Sequence, residues 1–392
     1  MNAKDAQKRR QIRILIVRFG SVAGTIGGGT IRLIQVTRRW QKECSVFVMT
    51  HETTYLWQKY LGLVAQPFHL VNARWTWTQN IPSLLYCMVR NLFLRTNEKF
   101  DVVMSRSEDL VDVIPSIWLA KQTGAKLTVY AGTDIIPSAK SRKKLLRMLV
   151  LVDHFLSCLL LRWAADIVNP FNEQSRDELI NLGINPKKLI ILFGGFNWED
   201  INKIPSQEKQ YEAIYLGRIS PEKGSNDLID AWRLVCNVFP KARLAIAGTG
   251  EPNAIVGLHN RIKENDLENN VVFLGYIEES VKYQVLKASK IFILPSYVDT
   301  FSYSVAEALA CELPVITYKT KVFQSVYGDA IVYAKFGNIS SLMQKIILLL
   351  QNQDMREVYG KKGRESVVKY DWDNAARFEL GALKKIVSQQ NN

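Results

Sequence analysis

Residues 294–316 read LPSYVDTFSYSVAEALACELPVI, and their pattern is the most informative in the chain about its fold. It begins inside an apolar run, IFILPS (291–296), continues through a polar loop at Asp299 and a helical pattern from near Ser304, and ends in a second apolar run, PVITY (314–318). Short β-branched runs separated by helical spacing are typical of strand–helix–strand units in parallel sheets. The stretch therefore predicts two parallel strands connected by a helix.

The same alternation extends towards both ends of the chain. Further strands are predicted in the second half at EAIYLG (212–217), RLAIAG (243–248), VVFLG (271–275) and AIVYA (330–334), and in the first half at ILIV (14–17), SVFVMT (45–50), DVVMS (101–105), KLTVYAG (126–132), DIVNP (166–170) and LIILFG (189–194). Helical patterns lie between them at 29–42, 82–97, 111–123, 142–165, 224–238, 252–265, 279–288 and 339–351. Two series of βα units predict two Rossmann-like, doubly wound α/β domains.

A polar segment without periodicity, NWEDINKIPSQEKQ (197–210), separates the two series and is predicted to be a linker. The predicted domains are residues 1–196 and residues 211–370. A final helix, residues 371–392, is expected to cross back to the first domain. Two such domains facing each other would enclose a cleft between the carboxyl ends of their sheets, where ligands of doubly wound folds bind.

The composition is that of a globular protein of about two domains, because the 392 residues are 47% apolar and 22% charged. These values exclude a collagen, a coiled coil and a wholly disordered chain. No signal peptide or membrane span is expected, since ILIV (14–17) is too short and the longest apolar stretch, residues 145–165, carries charged side chains. Five widely separated cysteines predict reduced thiols in a cytosolic protein: Cys44, Cys87, Cys158, Cys236 and Cys311.

The net charge of +14 is concentrated in the first half of the chain. Residues 1–170 hold 24 Lys and Arg against 11 Asp and Glu, whereas residues 171–392 hold 27 against 26. A one-sided basic surface favours a polyanion or an anionic membrane as partner, and a solvated face without a partner is the alternative. Nucleic acid is not expected, because the basic residues are not interleaved with aromatic side chains.

Two permanent cations, Arg218 and Lys223, lie in the loop after the strand EAIYLG, within YLGRISPEKGSNDLIDAW (215–232). Cations five residues apart across a proline-containing turn can straddle a diphosphate, the guanidinium as a fork and the ammonium as a point charge. The alternative is a pair of solvated charges in a surface loop.

Two acids, Asp299 and Glu307, lie on either side of the predicted helix start near Ser304. On the functional interpretation, free N–H groups of residues 301–304 face a phosphate, and the two carboxylates accept hydrogen bonds from sugar hydroxyls. The alternative is purely structural, because Ser304-x-x-Glu307 has the spacing of a capping box.

Taken together, several stretches resemble the retaining GT-B glycosyltransferases of the GT4-type family (glycosyl transferases group 1), which use nucleotide sugars. These stretches are YLGRISPEKG, RLAIAGTGEP, VVFLGYIEES, LPSYVDTFSYSVAEALACELPVI and YDWDNAARF, and they cover nearly all of residues 212–378. The resemblance implies a GT-B fold and a hexosyltransferase that retains the anomeric configuration and needs neither a metal ion nor a cofactor. A non-catalytic nucleotide-sugar or polyanion-binding protein is the alternative.

Carried across by position, the resemblance implies four catalytic residues. Arg218 and Lys223 would bind the donor diphosphate, Glu307 would bind the ribose, and Asp299 replaces the first glutamate of the family's E-x7-E pattern. The other residues implied to bind the donor are Gly27, Gly28, Gly217, Gly248, Tyr276, Phe301, Ser302 and Tyr303. Where many relatives carry a histidine that positions the donor sugar, this chain offers Asp134 as a polar contact.

The glycine-rich loop GSVAGTIGGGTIRL (20–33) follows the first predicted strand and opens a helix. Glycines let the backbone approach a ligand closely, and the family resemblance implies that this loop lines the donor phosphates and the acceptor. A dinucleotide-binding oxidoreductase is the rival interpretation, but the loop lacks the G-x-G-x-x-G spacing.

The basic first domain is expected to bind the acceptor, a saccharide or a lipid-linked glycan. KSRKKLLR (140–147) leads an apolar helix, and Trp75 and Trp77 lie in ARWTW, so docking on the inner face of an anionic membrane is predicted. A core helix with a solvated first turn, and tryptophans in the core, is the alternative.

Overall fold

The computed structural model describes residues 11–19, 28–71, 90–91, 93–131 and 144–389. The chain divides into two units: Met1–Phe193 with Trp372–Asn392 form unit 1, and Gly194–Asp371 form unit 2. Some predictions fall outside the described residues, namely Gly27, Asp134, Trp75, Trp77, Cys87 and most of the helix at 82–97.

Within the described residues, unit 1 contains a parallel sheet of six strands, namely β1 (Ile12–Arg18), β2 (Cys44–His51), β3 (Gln66–Val71), β4 (Val102–Ser105), β5 (Lys126–Tyr130) and β6 (Ile167–Asn169). The helices that accompany them are α1 (Gly28–Trp40), α2 (Glu52–Tyr60), α3 (Leu110–Thr123), α4 (Lys144–Ala164) and α5 (Glu173–Asn181). The strands lie in the order β3-β2-β1-β4-β5-β6.

Strand β1 is buried on both faces of this sheet. Leu15 and Val17 pack into one hydrophobic cluster, and Ile14 and Ile16 pack into another, because successive side chains point to opposite faces. A strand covered on both faces has a continuous apolar sequence instead of an alternating one, which is why ILIV is uninterrupted.

Unit 2 repeats the arrangement in its own sheet, with strands β7 (Tyr211–Leu216), β8 (Leu244–Ala247), β9 (Val271–Gly275), β10 (Ser289–Leu294), β11 (Val315–Tyr318) and β12 (Val332–Ala334). Its helices are α6 (Trp198–Lys203), α7 (Ser225–Cys236), α8 (Pro252–Glu264), α9 (Glu279–Lys287), α10 (Tyr303–Ala310), α11 (Lys321–Tyr327), α12 (Ile339–Gln351) and α13 (Gln353–Val367). The strands lie in the order β12-β11-β10-β7-β8-β9.

Counted from the first strand of each unit, both sheets have the order 3-2-1-4-5-6, which is that of a doubly wound nucleotide-binding fold. The predicted fold class of two Rossmann-like domains is therefore confirmed. In such sheets the strand order reverses between the first and fourth strands, so the loops after β7 and β10 are where a ligand of unit 2 is expected.

One strand prediction in unit 1 is wrong, and one strand of this unit was not predicted. LIILFG (189–194) is not a strand: it forms one bridge, from Leu189 to Val168, and the amides of Ile190 and Leu192 donate to the Val168 and Pro170 carbonyls, beside a β6 that is three residues long. Conversely, β3 (Gln66–Val71) was missed, since a strand with Pro67 and a half-exposed surface lacks the apolar run that identifies its neighbours.

Two segments near the unit boundaries have definite structure. The segment predicted as an aperiodic linker, 197–210, contains α6, and the Lys287 ammonium donates to the Ile201 carbonyl at 2.8 Å. The last helix, α14 (Trp372–Ser388), packs on α1, where the Trp40 indole N–H donates to the Ala376 carbonyl at 2.9 Å.

Among the described residues, no disulfide joins Cys44, Cys158, Cys236 and Cys311, which are free thiols. No helix in this part of the chain is both long enough and apolar enough to cross a bilayer.

Candidate functional site

The candidate site lies at the carboxyl edge of the unit 2 sheet. Gly217 directly follows β7, Gly248 directly follows β8, and Gly275 is the last residue of β9. Gly248 has a φ of +139°, and a Cβ atom there would lie 1.9 Å from the Gly217 carbonyl oxygen. Only glycine fits, so the ends of β7 and β8 approach each other with bare backbone. This is the kind of surface against which a phosphate or a sugar can lie closely.

The loop after β7 is fixed to the loop after β10. The Tyr215 hydroxyl, from inside β7, donates to the Arg218 carbonyl at 2.7 Å, and the Tyr297 amide donates to the Glu222 carbonyl at 2.8 Å. Gly224 has a φ of +69°, and a Cβ atom there would lie 2.0 Å from the Pro295 carbonyl oxygen. Main-chain atoms of both loops therefore take part in holding the two loops in place.

Lys223 and Asp299, which the sequence analysis placed in one site, are in direct contact. The Lys223 ammonium donates to the Asp299 carboxylate and to the Val298 carbonyl, each at 2.8 Å. The side chains are 21% and 9% exposed, so this ion pair is mostly shielded from water. A shielded ammonium interacts with a nearby anion more strongly than a fully solvated one does.

Arg218 is placed differently from Lys223. Its side chain is 66% exposed, and its guanidinium lies 3.5 Å from the Glu222 carboxylate of the same loop. A surface pair of this kind contributes little to stability. The Arg218 side chain is thus free of any rigid structural contact among those described and can turn towards a ligand.

The start of α10 has an unusual backbone. Ser302 precedes the helix with a φ of +61°, a conformation that non-glycine residues rarely adopt. The Tyr327 hydroxyl is within hydrogen-bond reach of the Phe301 carbonyl at 2.6 Å and of the Ser302 carbonyl at 3.0 Å, which holds this turn. Strained residues persist only where the surrounding structure fixes them, and they concentrate at functional sites.

Phe301, which was predicted with Tyr303 to bind the donor, has a buried side chain. The Phe301 ring is 3% exposed and packs edge-on against Tyr370, with ring centroids 4.9 Å apart. A Cβ on Gly194 would collide with both the Phe301 and the Tyr303 rings. The Phe301 side chain is therefore part of the core, and only its main chain is available to a ligand.

Glu307 does not form the capping box that its spacing with Ser304 suggested. Its carboxylate accepts a hydrogen bond from the Lys282 ammonium of α9 at 2.6 Å, and α10 begins at Tyr303 without a side-chain cap. Burial raises the pKa of the Glu307 carboxyl, and the positive charge of Lys282 opposes that rise. The capping interpretation is wrong because the N-cap is Ser302, two residues before Ser304, and the Glu307 side chain faces a cation.

The remaining predicted residues are spread over both units. Tyr276 follows β9 and is exposed, and Gly28 is the first residue of α1 in unit 1. The structure thus joins Lys223 with Asp299, gives Glu307 a separate partner, and leaves Arg218 and Tyr276 exposed.

Sequence reasoning missed several residues that support the site: Lys282, Tyr327, Asp227, Tyr297 and Tyr318. The hydroxyls of Tyr297 and Tyr318 donate to one Asp227 carboxylate oxygen at 2.5 and 2.6 Å, which ties α7 to β11 and to the loop after β10. No local pattern identifies these residues, because each partner comes from a distant part of the chain.

Unit 1 has a cluster of cations at its own carboxyl edge, which the sequence analysis also missed. Arg18, at the end of β1, donates to the Thr30 hydroxyl at 3.2 Å, and Arg106, after β4, donates to the Gly29 carbonyl at 3.1 Å. Burial, with the nearby Arg106 guanidinium, lowers the pKa of Arg18 to about 10. The Arg106 guanidinium also lies over the Tyr130 ring, 3.8 Å from its centroid.

Over the described residues, no three His, Cys, Asp or Glu side chains are grouped to hold a metal ion. At the described edge of unit 2, the Lys223 ammonium is a group that can bind an anion, and the carboxylates of Asp299 and Glu307 can accept hydrogen bonds from hydroxyl groups.

Residues 196–366 match the family model described as glycosyl transferases group 1. The chain is 28% identical over 167 residues to the phosphatidyl-myo-inositol mannosyltransferase of Mycobacterium leprae, covering 42% of this chain and 43% of that protein. It is 26% identical over 273 residues to N-acetylgalactosamine-N,N'-diacetylbacillosaminyl-diphospho-undecaprenol 4-alpha-N-acetylgalactosaminyltransferase of Campylobacter jejuni, covering 68% and 72%. Several such relatives are matched over only about half of their length, as the 43% for the mycobacterial protein illustrates.

Among solved structures, the chain resembles sucrose-phosphate synthase from Thermosynechococcus elongatus with a TM-score of 0.76. The two are 16% identical, and the match covers 97% of this chain and 100% of that one. At this identity the likeness concerns the fold, and it confirms the predicted GT-B fold class.

Proposed function

We propose that the chain, whose residues 196–366 match the glycosyl transferases group 1 model, is a hexosyltransferase that uses a nucleotide-diphosphate sugar. The observation that carries this proposal is the shielded Lys223–Asp299 pair, which lies between the loops after β7 and β10. This is the position in a doubly wound sheet at which nucleotides bind.

The proposed role of Lys223 is to stabilise the leaving diphosphate. As the bond between the sugar and the diphosphate breaks, negative charge develops on the diphosphate oxygens, and a fixed cation lowers the energy of that state. Lys223 has three donor hydrogens, two of which point at protein oxygens. Arg218 would turn from the surface to bind the same group as a fork. With two cations in this role, the reaction needs no metal ion.

The proposed role of the acids is to hold the sugars. Asp299 would accept hydrogen bonds from hydroxyls of the transferred sugar, and Glu307 from the ribose. An ionised carboxylate is the stronger acceptor for such hydroxyls, and Lys282 favours the ionised form of the buried Glu307. Lys282 is then a positioning residue that acts through Glu307.

We propose transfer with retention of the anomeric configuration. The acceptor oxygen would approach the sugar on the same face as the departing diphosphate. The bond from the anomeric carbon to the diphosphate breaks, the bond to the acceptor oxygen forms, and the acceptor proton passes to a diphosphate oxygen. Charge and atoms balance without a covalent enzyme intermediate.

The acceptor is proposed to be a saccharide or a lipid-linked glycan that binds unit 1. Two of the relatives are named for a phosphatidyl-myo-inositol and for a diphospho-undecaprenol, which are both lipids with an anionic headgroup. Arg18 and Arg106 at the carboxyl edge of unit 1 are suited to such an anion. The protein would work in the cytoplasm, at the inner face of the membrane.

A donor panel tests the proposal. We expect one or two of UDP-, GDP-, ADP- and dTDP-sugars to raise the melting temperature of the purified chain, because a ligand that binds only the folded state stabilises it. The stabilising donor should be consumed when an undecaprenyl-diphosphate glycan is added. Binding without turnover across a broad acceptor set would instead indicate a non-catalytic nucleotide-sugar protein, and the absence of any shift would reject the proposal.

A further inference from the structure

The Arg106 guanidinium in unit 1 lies over the ring of Tyr130, a contact to which the proposed reaction gives no role. Arg106 directly follows β4, and Tyr130 is the last residue of β5, the neighbouring strand. Ser105 of β4 is opposite Val129 of β5, so Arg106 and Tyr130 form the next pair at the carboxyl edge. The Cζ atom of Arg106 is 3.8 Å from the centroid of the Tyr130 ring. A guanidinium at this distance covers the face of the ring.

Arg106 is also held by its main chain and by α1. Its amide donates to the Val17 carbonyl of β1 at 3.1 Å, and its guanidinium donates to the Gly29 carbonyl in the first turn of α1 at 3.1 Å. Arg106 is 8% exposed and Tyr130 is 2% exposed. A cation–π contact is stronger in such a shielded place than at the surface. The ring of Tyr130 therefore helps to fix the plane of the guanidinium.

The Tyr130 hydroxyl has a different role from the ring. It donates to the Glu379 carboxylate of α14, which also pairs with the Arg32 guanidinium of α1. Burial raises the pKa of the Tyr130 phenol, so the hydroxyl keeps the proton that it donates. The hydroxyl thus belongs to the buried network between α1 and α14, whereas the face of the ring contacts Arg106.

A second cation, Arg18, stands near Arg106 at this edge. Burial, and after it the charge of Arg106, lowers the pKa of Arg18, and the Asp112 carboxylate opposes that effect. Repulsion between two cations is relieved by an anion bound beside both of them. The strand order of unit 1 reverses between β1 and β4, the strands that precede these arginines, and ligands of doubly wound sheets bind at that position. The surroundings of Arg106 therefore favour an anionic ligand.

We propose that the face of the Tyr130 ring positions the Arg106 guanidinium for a phosphate or diphosphate group of the acceptor. A guanidinium that stacks through its face directs its N–H groups outwards in its own plane, and this planar fork binds two oxygens of a phosphate. Tyr130 is then a positioning residue that acts through Arg106. This inference rests on the proposed function, which assigns an anionic acceptor to unit 1.

Calorimetry with inorganic pyrophosphate tests the role of the ring. The full chain carries Arg218→Met and Lys223→Met, which remove the cations proposed to bind the donor in unit 2, so that binding reports on unit 1. In this background Tyr130→Leu should weaken pyrophosphate binding by about threefold to tenfold, as the loss of a shielded cation–π contact does. Arg106→Met should weaken it by about tenfold or more. Tyr130→Phe keeps the ring face and should bind within about twofold of the background chain.

The melting temperatures of the same variants separate positioning from stability. Tyr130→Phe and Tyr130→Leu both remove the hydroxyl that donates to Glu379, so both should melt below the background chain. Phe47→Leu is the matched control, because the Phe47 ring lies under the Arg13 guanidinium, 4.8 Å from its Cζ atom, near the amino end of β1. This control should also lower the melting temperature, but it should leave pyrophosphate affinity unchanged.

Three results would overturn the inference: no pyrophosphate binding in the Arg218→Met, Lys223→Met background, unchanged binding in Tyr130→Leu, or equal losses of affinity in Tyr130→Phe and Tyr130→Leu. Should Tyr130→Leu not fold, Tyr130→Met replaces it, with circular dichroism as the check. The donor panel on the unaltered chain distinguishes the two proposals. A donor that stabilises that chain, together with no pyrophosphate binding by unit 1, would reject this inference and leave the proposed function in place.

Discussion

Unit 1 and unit 2 have the same strand order, but their carboxyl edges are built differently. Unit 2 brings its strand ends together with glycines and holds its loops through main-chain hydrogen bonds, as at Gly248 and Gly224. Unit 1 places charged side chains there, including Arg18 and Arg106. The same topology can therefore build its carboxyl edge mainly from closely approaching backbone or mainly from charged side chains.

The two units also differ in how far their ion pairs are exposed to water. In unit 1 the Arg32 guanidinium pairs with the Glu379 carboxylate of α14, and the side chains are 1% and 2% exposed. The Tyr130 hydroxyl donates to the same carboxylate. In unit 2 the pairs of Lys223 and Lys282 are shielded but still reach water. The Arg32–Glu379 pair of unit 1 is thus closed to a ligand, whereas partial exposure leaves Lys223 and Lys282 of unit 2 accessible to one.

The largest effect is expected from breaking the buried pair of unit 1. Arg32→Met leaves the Glu379 carboxylate buried without its cation, which should lower the free energy of unfolding by about 3–5 kcal/mol. Arg39→Met is the matched control, because Arg39 also joins α1 to α14 but pairs with Asp373 at the surface. Its loss should be about 1 kcal/mol or less in chemical denaturation. Similar losses in the two variants would contradict the distinction.

The next largest effect concerns the shielded cation of unit 2. Lys223→Met should lower kcat/KM by about a hundredfold to a thousandfold, as the loss of one group that stabilises transition-state charge does. Lys290→Met is the control, because it breaks a partly buried pair with Glu212 in the same unit, at 3.1 Å. The two variants should melt at similar temperatures, and only the first should lose turnover. Near-normal kcat/KM in folded Lys223→Met would remove Lys223 from the mechanism.

The third prediction concerns the pH dependence of the free energy of unfolding, which depends on the Glu307–Lys282 pair of unit 2. Burial raises the pKa of this carboxyl, and Lys282→Met removes the charge that opposes the rise. A carboxyl whose pKa is higher in the folded chain than in the unfolded chain stabilises the fold at low pH, and this contribution is lost as the pH rises through the folded pKa. The Lys282→Met variant should therefore lose about 1–3 kcal/mol more at pH 8 than at pH 5.

Adding Glu307→Gln to Lys282→Met removes the titrating group and should flatten the pH dependence. Nucleotide affinity is the second measurement, because a purely structural pair would change the melting temperature and leave that affinity unchanged. A slope of the opposite sign in Lys282→Met would show that the carboxylate is not buried in solution.

The smallest effects compare two glycines of unit 2. Gly224→Ala forces a left-handed residue and a collision with the Pro295 carbonyl, so it should destabilise unit 2 by about 1–3 kcal/mol. Gly257→Ala, within α8, meets open space and should stabilise the fold by about 0.5–1 kcal/mol. Thermal unfolding of both variants measures the difference, and the two changes should have opposite signs.

The sequence alone predicted the parts of the fold that rest on local pattern. Continuous apolar runs such as Ile14–Val17 identify strands buried on both faces, and most helices lie within a few residues of their predicted bounds. The sequence did not predict β3, because this half-exposed strand has no such run. It also predicted a strand at residues 189–194, where the apolar run forms a single bridge, from Leu189 to Val168.

For the candidate site, the sequence determined the residue types and their spacing, and so it placed Lys223 and Asp299 in loops that follow β7 and β10. The contacts that support the site depend on the tertiary structure. They pair Glu307 with Lys282, the Ser302 turn with Tyr327, and Asp227 with two tyrosines. The physical reason is that spacing along the chain fixes which loop a side chain occupies, whereas an ion pair depends on distances between elements that are remote in sequence.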